Sequence, residues 1–191
     1  MSTFEMTGAA SAMATVVRGV RDDQLGGPTP CPAYRVGDLA EHVGGLTVAF
    51  VHAARKTDLP GEAGPGDAAR LEDGWRDRVV ADLDELVGAW QDADAWTGTT
   101  MAGPVEMPAP AAALVVLDEL VVHAWDLAVA TGQPYAPDPL DVAACQSFVD
   151  QFDPPEADGG LFGPPVPVAP DASPLDRLLG RTGRDPAWRP A

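Results

Sequence analysis

An all-α fold is what this sequence predicts, and three observations carry the prediction. Apolar residues return at helical spacing through several long stretches, Gly and Pro clusters separate those stretches, and only residues 94–107 read as containing extended chain. With 191 residues and 46% hydrophobic content the chain can bury one core.

The first helix is expected from about Thr3 to Asp23, where Phe4, Met6, Met13, Val16, Val17 and Val20 make one face and Gly26-Gly27-Pro28 ends it. Thr29-Pro30-Cys31-Pro32 follows as a rigid loop. A second helix should run from about Val36 to Lys56, with Val36, Leu39, Val43, Leu46 and Phe50 on its buried stripe and His42 beside that stripe. Residues 59–66, rich in Pro and Gly, read as connecting chain, and a third helix is expected from about Asp67 to Gln91, with Arg76, Asp77, Arg78 and Asp82 on a solvated face. Thr and Gly make residues 94–107 helix-poor, after which Pro108 and Pro110 open a fourth helix over residues 109–131 that Gly132 stops. Asp138-Pro139 supplies a cap and first-turn proline for a fifth helix reaching about Phe152. Beyond Asp153 the chain is proline-rich, and only Pro174 to Arg181 has the composition of another short helix.

Charge narrows the partners. Twelve basic against 29 acidic residues give a net charge of −17, which argues against nucleic acid and against anionic membranes. No stretch approaches the roughly 20 uncharged apolar residues of a membrane span. The start, Met1-Ser2-Thr3-Phe4-Glu5, lacks a basic leader followed by an apolar core, so a cytoplasmic protein is expected. The two cysteines, Cys31 and Cys145, are too few and too far apart for a disulfide framework or a thiolate zinc knuckle, and are expected to be reduced. Cys31 stands just before a helix start, where a thiol pKa can be lowered.

Candidate chemistry concentrates in Leu117-Asp118-Glu119-Leu120-Val121-Val122-His123-Ala124-Trp125-Asp126. At about 100° per residue, Glu119 and His123 lie roughly 40° apart around a helix, Asp126 falls on the same stripe and Asp118 points elsewhere. The surrounding helix is apolar nearly all round, so it should be buried, and a buried carboxylate must be neutralised, paired or coordinated. Glu-x-x-x-His on one helix therefore admits a divalent metal, and it equally admits an intrahelical ion pair or a packed core histidine, the commoner outcome for the spacing alone. A metal needs a further ligand. His42 and His52 are the remaining imidazoles, about 80° apart on their helix, and His42 flanks the core stripe whereas His52 lies near the helix end among Ala53, Ala54, Arg55 and Lys56. Asp126 could accept a hydrogen bond from His123 or face a neighbouring arginine. Trp125 and Trp75 read as core or pocket lining.

Two segments resemble a known family. Residues 29–45, Thr-Pro-Cys-Pro-Ala-Tyr-Arg-Val-Gly-Asp-Leu-Ala-Glu-His-Val-Gly-Gly, resemble the second-helix motif of DinB-like metal-binding proteins related to mycothiol-dependent maleylpyruvate isomerase. Residues 119–132 resemble the family's later ligand helix, and the tail, with Phe162-Gly163-Pro164-Pro165-Val166-Pro167-Val168, Pro174 to Leu179 and Gly183-Arg184-Asp185-Pro186, resembles the C-terminal signature of a short metal-binding subfamily. Tyr34 stands where a Trp is common and Glu41 where an Asn is common. The resemblance implies a DinB-like four-helix bundle over residues 1–152, with a short fifth helix and a Pro-rich extension, 153–191, packed on it. It implies metal ligands His42, Glu119 and His123, with Zn²⁺ or else Ni²⁺, Fe²⁺ or Mn²⁺; beside them Asp126 is placed to orient His123 and Trp125 to line the pocket. It further implies a transferase or isomerase that uses mycothiol, a low-molecular-weight thiol, against an electrophilic substrate, in a monomer or homodimer. The isomerase carries a larger C-terminal domain than this length accommodates, so its own reaction is not what the resemblance specifies. A metal-binding or sensor protein without catalysis is the alternative.

Overall fold

The computed structural model describes residues 4–61, 64–152 and 162–190. Four helices form a bundle: α1 (Thr7–Gly19), α2 (Val36–Arg55), α3 (Trp75–Trp90) and α4 (Ala109–Thr131). Each of α1 and α2 packs against both α3 and α4, which makes a closed four-sided arrangement around one core. The fold class predicted from the sequence is the one observed.

α2 starts where the chain leaves the proline loop. The Arg35 amide donates to Asp38 Oδ2 at 3.1 Å, and the helix ends at Lys56, whose φ of 54° closes it in the left-handed region. α4 opens on prolines and stops at Gly132, φ 71°, as its sequence predicts. Most of α4 is buried, Asp118, His123 and Asp126 included. It is the central strut of the core, with Leu117, Val121 and Leu127 fully enclosed.

Several boundaries differ from expectation for local reasons. The third helix begins at Trp75, because Gly74 takes φ 75°, which a right-handed helix cannot include. The preceding residues form a short 3₁₀ turn, Ala68–Arg70, capped by the Asp67 carboxylate accepting from the Ala69 amide at 2.9 Å. α1 starts at Thr7 and ends at Gly19, since Val20 is already extended. The extended piece is a hairpin of β1 (Thr99–Ala102) and β2 (Val105–Pro108), antiparallel with Thr100 opposite Met107, turning at Gly103-Pro104. Thr100 hooks it to the bundle by donating its hydroxyl to Ala53 O at 2.6 Å.

α5 (Pro139–Val149) packs on α4, and α6 (Pro174–Arg181) packs on α5. Residues 162–168 run as irregular chain, tied to α6 by Val166 N donating to Gly180 O at 2.8 Å. The expected boundary between bundle and extension, at 152/153, lies at the edge of the described residues. Among those residues no helix is long and apolar enough to cross a membrane.

Candidate metal centre

α4 contributes Glu119, His123 and Asp126 from one stripe, as the helical spacing requires, and α2 brings His42 across to them. His42, Glu119 and His123 each offer one donor atom, and the three atoms lie within 4.8 Å of one another. The His42 and His123 rings meet edge to face with centroids 5.4 Å apart. His52, the other α2 imidazole, is half-buried and engages Thr57 Oγ1 through Nδ1 at 2.8 Å, away from this group.

His123 is held at both ring nitrogens. Its Nε2 lies 2.9 Å from Glu119 Oε2, and its Nδ1 lies 2.9 Å from Asp126 Oδ2. Burial disfavours the imidazolium, but Glu119 and Asp126 outweigh burial and raise His123 to about 9. His42 behaves oppositely: burial, reinforced by the neighbouring His123, lowers it to about 4 and keeps it neutral. Burial opposes the charge on Glu119 too, yet the His123 imidazole holds its carboxyl below the usual range.

Asp126 is fully enclosed and has a second partner, which resolves the two options left by the sequence in favour of both. Arg184, from the C-terminal segment, donates to Asp126 Oδ2 from Nη2 at 3.0 Å and lies 3.4 Å from Oδ1 through Nε. Nothing in the spacing of a helix predicts this contact, because Arg184 is 58 residues further along the chain. Trp125 and Trp75 are both core residues, and the guanidinium of Arg76 stacks 4.4 Å over a Trp75 ring.

The approach to His42 is shaped by residues 64–70. Asp38 Oδ1 accepts from the Ala68 amide at 2.9 Å, while Glu41 accepts from the Asp67 amide at 3.1 Å and from Arg70 Nη2 at 2.7 Å. Tyr34 tilts over the His42 ring, its hydroxyl 3.4 Å from Nδ1. Tyr34 and Glu41 thus both act on His42's surroundings, one over the ring and the other by anchoring the covering loop. On another side Val43, Leu46, Phe50, Val116 and Leu120 line an apolar crevice that reaches Glu119. Burial pushes the Cys31 thiol up, so the helix start does not activate it.

Gly66 allows the loop to lie this close. A Cβ there would sit 2.1 Å from Asp38 O and 2.9 Å from His42 Cβ. Gly66→Ala is therefore expected to cost about 1–3 kcal/mol. In a chain of this size that lowers the melting midpoint by roughly 2–4 °C per kcal/mol. A thermal melt unchanged from the parent would show that the loop lifts away freely.

Comparisons with known proteins bear on the family of the chain. Residues 6–128, which include every residue of the three-donor group, match the family described as mycothiol maleylpyruvate isomerase N-terminal domain. Two proteins of Mycobacterium tuberculosis, MT0763 of strain CDC 1551 / Oshkosh and Rv0738 of strain H37Rv, are each 34% identical over 196 residues, covering 92% of this chain and 95% of theirs. Both are described only as uncharacterized proteins. No solved structure matches. On the strength of the family match and the near full-length relatives, the chain belongs to the mycothiol maleylpyruvate isomerase N-terminal domain family.

Proposed function

We propose that this chain is a divalent-metal protein with His42, Glu119 and His123 as ligands, zinc being the ion that best suits two imidazoles and one carboxylate, and that it works with a mycothiol-like thiol as a transferase or isomerase. The observation that carries the reading is the convergence of three donor atoms within 4.8 Å. Their chemistry fits a metal. His42 is kept neutral, as a ligand imidazole must be, and Asp126 holds His123 at Nδ1, which turns Nε2 toward Glu119 and His42. Three protein ligands also leave coordination positions open, where a structural zinc usually has four.

A metal bound there would act as a Lewis acid and favour the thiolate form of a coordinated thiol. The chain's own residues do the rest. Glu119 and His123 define one edge of the site on a single rigid helix, His42 closes it from α2, and Tyr34 limits water over the His42 ring. A small-molecule thiol and an electrophile are the partners this reading names, in a reducing cytoplasmic setting where such thiols persist.

One observation favours a second reading, metal binding without catalysis. The arginines nearest the site are already engaged, Arg70 with Glu41 and Arg184 with Asp126.

Metal content of untagged protein, measured by mass spectrometry beside His42→Ala and His123→Ala, tests the ligand set. About one equivalent in the parent, lost in both variants, is the expected result. Cobalt-loaded protein then separates the two readings: a new sulfur-to-metal charge-transfer band on adding a thiol supports the thiol-dependent enzyme, and an unchanged spectrum supports the non-catalytic protein. A parent that takes up no metal after reconstitution sinks both.

A further inference from the structure

We propose that Arg184 is a positioning residue of the metal centre, fixing Asp126 and through it the His123 ring, so that docking of the C-terminal segment and metal binding are linked. The proposal rests on the ligand reading above and extends it to a part of the chain outside the matched residues 6–128.

The argument starts from burial. The Asp126 side chain has 0% exposure and Arg184 has 12%. A carboxylate so enclosed needs a full opposite charge as well as hydrogen bonds. A metal-bound His123 is neutral and offers only its Nδ1 proton, so the compensating charge comes from Arg184. The guanidinium is itself fixed, since Nη1 donates to Thr182 O at 2.9 Å while Nη2 and Nε face the two carboxylate oxygens. With both oxygens addressed, Asp126 cannot rotate without breaking a contact, and the His123 ring inherits that restriction.

The chain delivers Arg184 on a rigid turn. Leu178 and Leu179 are fully buried, α6 ends at Arg181, and Gly183 takes φ 85° to reverse the backbone. Gly183 packs directly on Gly163: a Cβ at 183 would lie 2.8 Å from the Gly163 Cα. Arg184 N then donates to Leu179 O at 2.8 Å. The same segment is fastened to α5 by a different arginine, Arg181, which donates to Val149 O at 3.2 Å. Anchoring and positioning are thus assigned to separate side chains, and they can be tested separately. By linkage, whatever a docked Arg184 adds to metal affinity, bound metal returns to docking of the segment.

The test compares parent, Arg184→Ala, Arg184→Lys and Arg181→Ala by chelator competition for Co²⁺, by the visible absorption of the cobalt-loaded proteins, and by amide hydrogen exchange with and without metal. Arg184→Ala is expected to weaken Co²⁺ binding about 10- to 100-fold and to change the cobalt spectrum. Arg184→Lys should recover part of the loss, because it keeps the charge and loses the planar fork. Arg181→Ala should lower the melting temperature while leaving affinity and spectrum as in the parent. Metal should slow exchange over residues 178–184. A parent that binds cobalt beside an Arg184→Ala protein with the same affinity and spectrum overturns the inference and leaves the ligand reading intact. If Arg181→Ala reproduces the effect of Arg184→Ala, segment stability alone is responsible and the positioning role falls. A parent that binds no cobalt removes the ligand reading and this inference together.

Discussion

Metal affinity of this protein is expected to fall by about one decade for each pH unit below pH 9, and to fall by two decades per unit only near pH 4. Without metal, His123 is protonated at both ring nitrogens, Nδ1 2.9 Å from Asp126 and Nε2 2.9 Å from Glu119, and the Nε2 proton must leave before that nitrogen can bind an ion. Below about 9 the metal-free form is protonated at His123, so acid competes with one proton; His42, lowered to about 4, joins only in stronger acid. Calorimetry in two buffers of different ionisation enthalpy should accordingly register close to one proton released per metal at pH 7. Glu119→Gln removes a ligand and one of the two carboxylates that stabilise the imidazolium. It should cost more than the about 100-fold typical of an outer partner and move the pH break downward. Release of two protons at pH 7 would mean that His42 is charged, and release of none would mean that the His123–Glu119–Asp126 arrangement is not an ion pair in solution.

Asp118→Asn should stabilise the metal-free protein, and increasingly so as pH rises. Asp118 is buried in α4 with Oδ1 lacking a hydrogen-bond partner among the described residues, and burial, then the adjacent Glu119, raises its carboxyl from 3.8 to about 8. The unfolded chain ionises this group near its ordinary value and the native state resists until about 8. Between those values the unfolded state has lost a proton that the native state keeps, so the native state loses stability as pH rises. The loss is about 1.4 kcal/mol per pH unit for a single such group. Asparagine imitates the neutral acid and does not titrate. Urea unfolding of chelator-treated parent and variant at pH 5, 6.5 and 8 should show curves that diverge toward alkaline pH, with the variant more stable. Parallel curves would show that Asp118 reaches water or a partner when the protein is in solution.

Much of this was legible in the sequence, and the pattern of what was not is physical. Helices α2 and α4 could be read because periodicity and end signals agree: prolines before, Gly132 after α4, and a continuous apolar stripe with His42 at its flank. Glu119, His123 and Asp126 could be placed on one face because helical spacing is local information. The start of α3 could not, since residues 67–74 carry charges compatible with a helix, whereas the chain makes only a 3₁₀ turn, goes extended at Leu71 and turns left-handed at Gly74. Which arginine meets Asp126 was not legible for a different reason. A buried ion pair between residues 126 and 184 is a consequence of how α6 and its following turn pack, and no spacing rule reaches across the intervening chain. For Cys31 the sequence shows only the nearby helix start; it does not show the burial that outweighs the lowering influence of Arg184 and pushes the thiol up.

The distribution of donors over two helices gives the site a mechanical character. Glu119 and His123 ride on one α-helix and keep a fixed separation, so they behave as a single jaw; His42 on α2 is the other. The opening between the jaws is set by how α2 and α4 pack, and thus by the same apolar contacts that hold the core. Ions that demand bond lengths of about 2.0–2.1 Å to nitrogen and larger ions that prefer about 2.3–2.6 Å to oxygen would therefore be sorted by the calibre of the bundle as well as by ligand identity. With the proposed ligand set, a core substitution that never touches a donor atom, such as one between α2 and α4, becomes a way to retune which metal the site would accept.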